Sequence, residues 1–335
     1  MSQTDAPPAE QPAARKPRQI DQFLRVLVQQ GGSDLHLSCG SPPVMRLHGH
    51  LQRIKFRDLT EQDMQALLFE MLRPEQKERY TATSDLDFAY EIPGLARFRG
   101  NLFRQHRGPG AVFRVIPSKV LSADELKLPE AIRGFARLNR GLVLVTGPTG
   151  SGKSTTLAAL IDFINETRPD HILSIEDPIE FVHQNKKGLV NQREVGPHTA
   201  SFASALRAAL REDPDVILVG ELRDPETISL ALTAAETGHL VFGTLHTNSA
   251  AKTVDRIIDS FPGELQAQVR AMLSESLRGV VAQQLLRRKG GQGRVAAHEI
   301  LVGTPAVANL IREGKTFQIP SIIQTGKKDG MVLMD

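Results

Sequence analysis

The chain has 335 residues, of which 40% are hydrophobic, and its 41 basic and 38 acidic side chains leave a formal net charge of +3. This length predicts two folded domains, and the near balance of charge gives no reason to expect direct contact with nucleic acid. The single cysteine, Cys39, excludes an intrachain disulfide and a cysteine-rich metal module, and the lack of an apolar run of about 18 residues predicts a cytoplasmic protein without a transmembrane segment.

The first third of the chain predicts a disordered tail followed by a small α+β domain. Residues 1–18 contain four prolines and no periodic apolar residues, which indicates disorder. From Ile20 onward, helical spacing and then alternating patterns predict a helix, a strand pair, a second helix capped by Thr60, and further strands. We place this domain at residues 19–117, with Gly108-Pro-Gly110 as a turn before its last strand.

The last strands of this domain are rich in arginine. Arg97 and Arg99 alternate with Phe98 and should therefore project from one face of a strand. A solvated strand face is the ordinary explanation of such a charge run, but grouped guanidinium groups also suit bidentate contacts with phosphate. We interpret the cluster, and Arg99 and Arg114 in particular, as a candidate contact with a nucleotide of the same or a neighbouring subunit. Its members are Arg97, Arg99, Arg104, Arg107 and Arg114.

A glycine-rich motif dominates the second domain, which we place at residues 130–335 after a linker at 118–129. The apolar run 141–146 precedes GPTGSGKST, and a helical pattern follows, so the order is strand, loop, helix. Glycines at this spacing allow backbone N–H groups to converge on phosphate oxygens. Lys153 would approach the β- and γ-phosphates of ATP, and Ser154 would ligate Mg²⁺. The predicted ATP-binding residues are Gly147, Pro148, Thr149, Gly150, Ser151, Gly152, Lys153, Ser154 and Thr155.

Carboxylates follow the next apolar run of this domain. Residues 171–175 are typical of a buried strand, and Glu176, Asp177 and Glu180 come directly after it. The carboxyl ends of parallel strands are where α/β sheets place their chemistry. A turn or helix cap would explain Asp177 before a proline, but it explains three acids together less well.

Two later strands also end in polar residues. Residues 215–219 lead into Gly220 and Glu221. Gly220 occupies the position of the aspartate that phosphate-loop enzymes usually carry, so Glu221 is the acid predicted to reach Mg²⁺ or its waters. Residues 239–248 are a further predicted strand with His246 at its carboxyl end, at the place of a γ-phosphate sensor, although a lone histidine is more often structural.

Four ordered motifs resemble the secretion ATPase superfamily, and within it the retraction motors of type IV pili. They are GPTGSGKSTT, IEDPIEFVHQ, LREDPDVILVGELRD and TGHLVFGTLHTNSAAKT. The resemblance runs from about Ile20 to the end of the chain. It implies an α/β fold in which a PAS-like N-terminal domain precedes a RecA-like P-loop domain, with ATP and Mg²⁺ between them. It also implies a homohexamer, docked at an inner-membrane pilus platform protein, that drives pilin removal and twitching motility.

The resemblance also suggests roles for individual residues. It points to Glu180 as the general base, supported by Glu176 and Asp177, to Glu221 as the contact to Mg²⁺ and water, and to His246 as the phosphate sensor. The chain departs from the family pattern at Ala308, where an arginine is expected, and it ends before the usual helical tail.

Three other functions stay open at this stage. A pilus-extension or type II secretion ATPase commonly carries a four-cysteine zinc module, which one cysteine cannot build. A DNA-translocating motor would need a basic groove with stacking aromatics, whereas this chain has no tryptophan and two tyrosines. An accessory retraction subunit would bind nucleotide without releasing phosphate.

Overall fold

The computed structural model describes residues 18–116, 119–289 and 293–334. The chain separates into two compact units, Met1–Ile116 and Pro117–Asp335. Apart from Arg18, the tail predicted to be disordered lies outside the described residues. No helix in the three described ranges has the length and apolar character needed to cross a membrane.

The first unit is built on a six-stranded antiparallel sheet in the order β3-β2-β1-β6-β5-β4. The strands are β1 Asp34–Ser38, β2 Val44–Leu47, β3 His50–Arg53, β4 Asp85–Ile92, β5 Ala96–Gln105 and β6 Gly108–Ile116. The helices are α1 Gln19–Gln29, α2 Glu61–Met71 and α3 Pro74–Thr83. Alternate strand residues such as Phe98, Leu102 and Phe113 are fully buried, because one face of the sheet packs against apolar residues of the helices.

One local prediction for this unit needs correction, and one helix was not predicted. The predicted turn at Gly108-Pro-Gly110 is wrong, because β6 begins at Gly108 and Gly110 pairs with Phe103. A Cβ on Gly110 would lie 2.5 Å from the Phe103 ring, so the glycine here permits close packing. Helix α3 was not predicted, since Tyr80 is its only buried residue and its sequence has no apolar stripe.

The second unit contains a seven-stranded sheet in the order β13-β12-β7-β11-β10-β8-β9. All neighbouring pairs are parallel except β12 with β13. The strands are β7 Gly141–Thr146, β8 His171–Glu176, β9 Leu189–Glu194, β10 Val216–Val219, β11 Leu240–Leu245, β12 Leu277–Arg287 and β13 Arg294–Val302. The helices are α4 Glu130–Phe135, α5 Lys153–Thr167, α6 Phe202–Ala209, α7 Pro225–Glu236, α8 Ala250–Asp259, α9 Gly263–Ser276, α10 Pro305–Arg312 and α11 Ile319–Thr325.

Helices cover both faces of this sheet. Alternation along β7 sends Leu142 and Leu144 into one core and Val143 into the other. The predicted linker, residues 118–129, contributes Ala123 and Leu128 to the second of these cores. The parallel strands β7, β11, β10 and β8 are neighbours, so their carboxyl ends, and the residues that follow them, meet along one edge of the sheet.

Candidate functional site

The loop between β7 and α5 has the backbone that its glycines predict. Gly147, Gly150 and Gly152 have φ angles of 144°, 79° and 89°, in the region that residues with a Cβ rarely adopt. A Cβ on Gly147 would also lie 2.2 Å from the carbonyl oxygen of Gln283 in β12. Gly152 is the N-cap of α5, so the amino end of this helix opens directly onto the loop.

The side chain of Lys153 folds back over the loop. Its ammonium donates hydrogen bonds to the carbonyl oxygens of Gly147, at 2.8 Å, and Pro148, at 3.2 Å. Burial lowers the pKa of Lys153, and the carboxylates of Glu221 and Glu180 oppose this shift. Phosphate oxygens would be stronger acceptors for the ammonium than these carbonyls, so the lysine is placed to turn toward a bound phosphate.

The acids after β8 differ in their surroundings. The Glu176 side chain accepts hydrogen bonds from the hydroxyl of Ser174, at 2.6 Å, and the amide of Gln192, at 3.2 Å. Burial raises the pKa of Glu176, and the backbone of Glu180 also donates to it. Both residues are half-buried, but the carboxylate of Glu176 is held by Ser174 and Gln192, whereas Glu180 is near enough to influence the charge of Lys153.

Glu221 joins the ends of β10 and β11. Its carboxylate lies 2.7 Å from a guanidinium nitrogen of Arg223 and 3.1 Å from Nε2 of His246. Burial alone would raise the pKa of Glu221, but Arg223 and His246 outweigh it, so the net shift is downward. The structure thus brings Glu221 and His246 together, as their strand ends predicted, and adds Arg223. Arg223 was not among the predicted site residues, although its position two residues after Glu221 was an available signal.

Gly220 is held close to the neighbouring strand. A Cβ at this position would lie 3.1 Å from the carbonyl oxygen of Ile175 and 3.3 Å from Cα of Glu176. A side chain at position 220 would therefore be tightly packed against the backbone of β8, and the acid at the end of β10 is the next residue, Glu221.

A cavity of about 470 Å³ opens beside the loop. It is bordered by the phosphate loop, the segment after β11 and β12, which shows that these three parts of the chain share one space. The lining residues are Pro148, His246, Thr247, Asn248, Lys252, Gln283, Gln284 and Met334. Of these, only Pro148 and His246 were predicted site residues.

The donor set fits a magnesium ion bound together with phosphate. In the described part of the chain, no three His, Cys, Asp or Glu side chains form a group that could hold a metal. Mg²⁺ normally keeps several waters and takes few protein ligands when it accompanies a nucleotide. The Ser154 hydroxyl, in the first turn of α5, and the Glu221 carboxylate are oxygen donors of the required kind.

The predicted arginine pair lies in the first unit. Arg99 and Arg114 face each other across β5 and β6, and their side chains are 46% and 68% exposed. Nε of Arg114 donates to Asp34 at 2.8 Å, and Arg99 is 3.8 Å from Asp87. Burial tends to raise the pKa of Asp34, but hydrogen bonds from Arg114 and Ser33 lower it overall.

A glycine loop at a helix amino end, with a lysine, two acids and a histidine along the same sheet edge, defines a P-loop nucleotide-binding protein of the α/β class. The model of the family "Type II/IV secretion system protein" matches residues 10–330. The chain belongs to this family.

Two sequence relatives and one solved structure show which members of this family the chain resembles. It is 58% identical over 316 residues, 94% of this chain and 92% of the relative, to the type IV pilus retraction ATPase PilT of Pseudomonas aeruginosa. It is 60% identical over 88% of its length to a twitching motility protein of Neisseria gonorrhoeae, of which 78% is covered. The crystal structure of the pilus retraction motor PilT with bound ADP matches with a TM-score of 0.86 and 48% identity, covering 92% of this chain and 90% of the other.

The comparisons confirm four predictions. The chain is related to the secretion ATPases, its α/β fold is that of an N-terminal domain followed by a RecA-like ATPase domain, it is an ATPase, and it groups with the pilus retraction ATPases. The roles of individual site residues, the magnesium ion and the assembly stay predictions.

Proposed function

We propose that this protein is the ATP-hydrolysing motor that powers retraction of type IV pili and thereby twitching motility. The observation that carries the proposal is that a complete phosphate loop and the Glu221 and His246 pair lie at the same edge of one sheet. The chain that contains them matches a pilus retraction ATPase over 94% of its length. We infer that the nucleotide is ATP with Mg²⁺.

The proposed chemistry is transfer of the γ-phosphoryl group to water. The loop N–H groups and Lys153 hold the phosphates and counter the charge that develops on them. Glu180 accepts the proton of the attacking water, since it is near enough to Lys153 to affect its pKa, whereas the Glu176 carboxylate is held by Ser174 and Gln192. His246, paired with Glu221, responds to the γ-phosphate. Bound Mg²⁺, held by Ser154 and Glu221 or its waters, would supply further positive charge.

We further propose that the protein acts as a homohexamer in the cytoplasm, peripheral to the inner membrane. Arg99 or Arg114 of one subunit completes the site of a neighbour, and a platform protein of the pilus machine is the membrane partner. The support for this is the exposed arginine pair, the likeness to the retraction ATPases and the lack of a membrane-spanning helix among the described residues. Closure of the site around ATP and its release after hydrolysis would convert chemical energy into movement.

A phosphate-release assay tests the enzymatic part of the proposal. The purified protein should hydrolyse ATP, and Lys153→Ala should abolish turnover, because it removes the cation directed at the phosphates. Lys328→Ala, at an exposed lysine, is the matched control and should behave like the wild type. A wild-type protein that binds ATP but releases no phosphate would instead identify an accessory subunit, and near-normal turnover by Lys153→Ala would refute the assigned site.

A further inference from the structure

Gln283, in β12, contacts the phosphate loop although it lies far from it in sequence. Its side chain is 2% exposed. The amide nitrogen donates to the carbonyl oxygen of Ser151 at 2.6 Å, and the amide oxygen accepts from the hydroxyl of Thr156 at 2.8 Å. One side chain therefore binds both the end of the loop and the first turn of α5.

The Ser151 carbonyl fixes the orientation of this amide, because a carbonyl oxygen can only accept and the amide nitrogen must therefore face it. The amide oxygen then faces Thr156 and Nε2 of His298, in β13, which lies 3.2 Å away. That oxygen can only accept, so Nε2 of His298 must carry the hydrogen. Burial lowers the pKa of His298 and favours its neutral form. His298 thus supports the orientation in which the amide nitrogen donates to Ser151.

Gln283 also lies close to the glycines at both ends of the loop. A Cβ on Gly147 would lie 2.2 Å from the Gln283 carbonyl oxygen, and a Cβ on Gly152 would lie 2.8 Å from the Gln283 amide nitrogen. Gln283 thus contacts both ends of the loop.

Peptide geometry shows what this contact does. In a trans peptide the carbonyl of one residue and the N–H of the next point in opposite directions. When the Ser151 carbonyl is held toward β12, the N–H of Gly152 must point away from β12. The direction of that N–H decides whether the loop presents a donor to an anion at the amino end of α5.

We infer that Gln283, supported by His298, is a positioning residue that sets the shape of the phosphate loop and so the affinity of the site for nucleotide phosphates. The inference rests on the proposed function and adds to it a determinant of nucleotide affinity. The loop contacts phosphates both before and during the reaction, so loss of Gln283 should weaken binding more than it slows the chemical step.

The test compares Gln283→Met with the wild type in ADP binding and in ATP hydrolysis. Methionine has a similar length but leaves the Ser151 carbonyl without its donor. The Kd for ADP and the KM for ATP should rise by about tenfold, while kcat changes by no more than about threefold. Gln324→Met, at an exposed glutamine of α11, is the matched control and should change neither constant. Unchanged ADP affinity in a folded Gln283→Met protein would overturn the inference, whatever its thermal stability.

A second variant keeps the inference testable if Gln283→Met does not fold. In Gln283→Glu the introduced carboxyl can donate to Ser151 only when it is protonated, and burial raises its pKa. The ADP affinity of this variant, relative to the wild type, should recover as the pH is lowered from about 8 to about 6. No recovery would overturn the inference. If the wild type itself binds no ADP, the proposed function fails, and this outcome is distinct from equal binding by wild type and variants.

Discussion

At the scale of single residues, the site separates two acids that lie four residues apart in the sequence. The carboxylate of Glu176 accepts hydrogen bonds from Ser174 and Gln192, whereas Glu180 influences Lys153. We expect Glu180→Gln to retain nucleotide binding and to lower kcat by about 10² or more, because it removes basicity while keeping size. Glu176→Gln should have a mild effect on kcat. Steady-state phosphate release checks both, and the reverse order of severity would show that Glu176 is the base.

The raised pKa of Glu176 also predicts a dependence of stability on pH. A carboxyl whose pKa is higher in the folded than in the unfolded state binds more protons when folded, so the free energy of unfolding decreases as the pH rises through that interval. Glu176→Gln removes this titration and keeps an oxygen that accepts from Ser174 and Gln192. Its thermal midpoint should exceed that of the wild type at about pH 8, and the difference should diminish toward about pH 5.

The control for this measurement is Glu264→Gln, at an exposed carboxyl at the start of α9. It should show the same pH dependence as the wild type. A Glu176→Gln protein whose stability parallels the wild type at every pH would contradict the raised pKa of Glu176 in the folded protein.

At the scale of elements, the spacing of β8 and β10 determines which acid can enter the site. Gly220→Asp would place a side chain against the backbone of Ile175 and Glu176, where a Cβ already meets atoms at 3.1 and 3.3 Å. We expect a loss of stability of about 1–3 kcal/mol from overpacking, seen as a lower thermal midpoint, and no gain in ATP hydrolysis. Gly263→Asp, where a Cβ meets nothing within 4 Å, is the control. A Gly220→Asp protein with normal stability and faster turnover would show that this position can accept the usual aspartate.

Elements with a strong apolar period could be predicted from the sequence, and those without one could not. Strand β11 is buried throughout, and α2 has a Thr60 N-cap and a buried apolar stripe, so both were predicted. Strand β9 lies at the edge of the sheet with partly exposed polar residues, and α3 buries one side chain, so both were missed.

In the site, too, residues of local sequence motifs could be predicted, and a residue that acts through a long-range contact could not. The loop glycines and Lys153 form a contiguous motif that can be read from the sequence. Glu221 and His246 each follow a predicted strand, and this position correctly predicted that they lie at the same edge of the sheet. Gln283 was missed because its contact with Ser151 spans 132 positions, and nothing in the local sequence indicates which residue of β12 will face the loop.

At the scale of the whole molecule, the acids lie in one unit and the arginine pair in the other. If Arg99 of a neighbouring subunit completes the site, specific ATPase activity should rise with protein concentration, and Arg99→Ala should reduce turnover by roughly 10³ to 10⁵. Mixing Arg99→Ala with Glu180→Gln subunits should restore part of the activity, because one kind of mixed interface has both an intact base and an intact arginine. Arg99 is preferred to Arg114, whose loss would leave Asp34 without its nearest cation.

The control for mixing is Arg79→Ala, at an exposed arginine of α3, which should neither reduce activity nor change the result of mixing. Turnover per subunit that is constant down to a demonstrated monomer, together with mixtures that recover nothing, would contradict a shared site.

The central claim is that ATP hydrolysis at this phosphate loop retracts pili. It is tested most directly by imaging labelled pili on living cells in which the native gene is replaced by the wild type or by Lys153→Ala. With the wild type, pili should extend and retract and the cells should twitch. With Lys153→Ala, pili should extend and accumulate on the surface without retracting. Retraction that continues with Lys153→Ala, or loss of extension in its place, would contradict the claim.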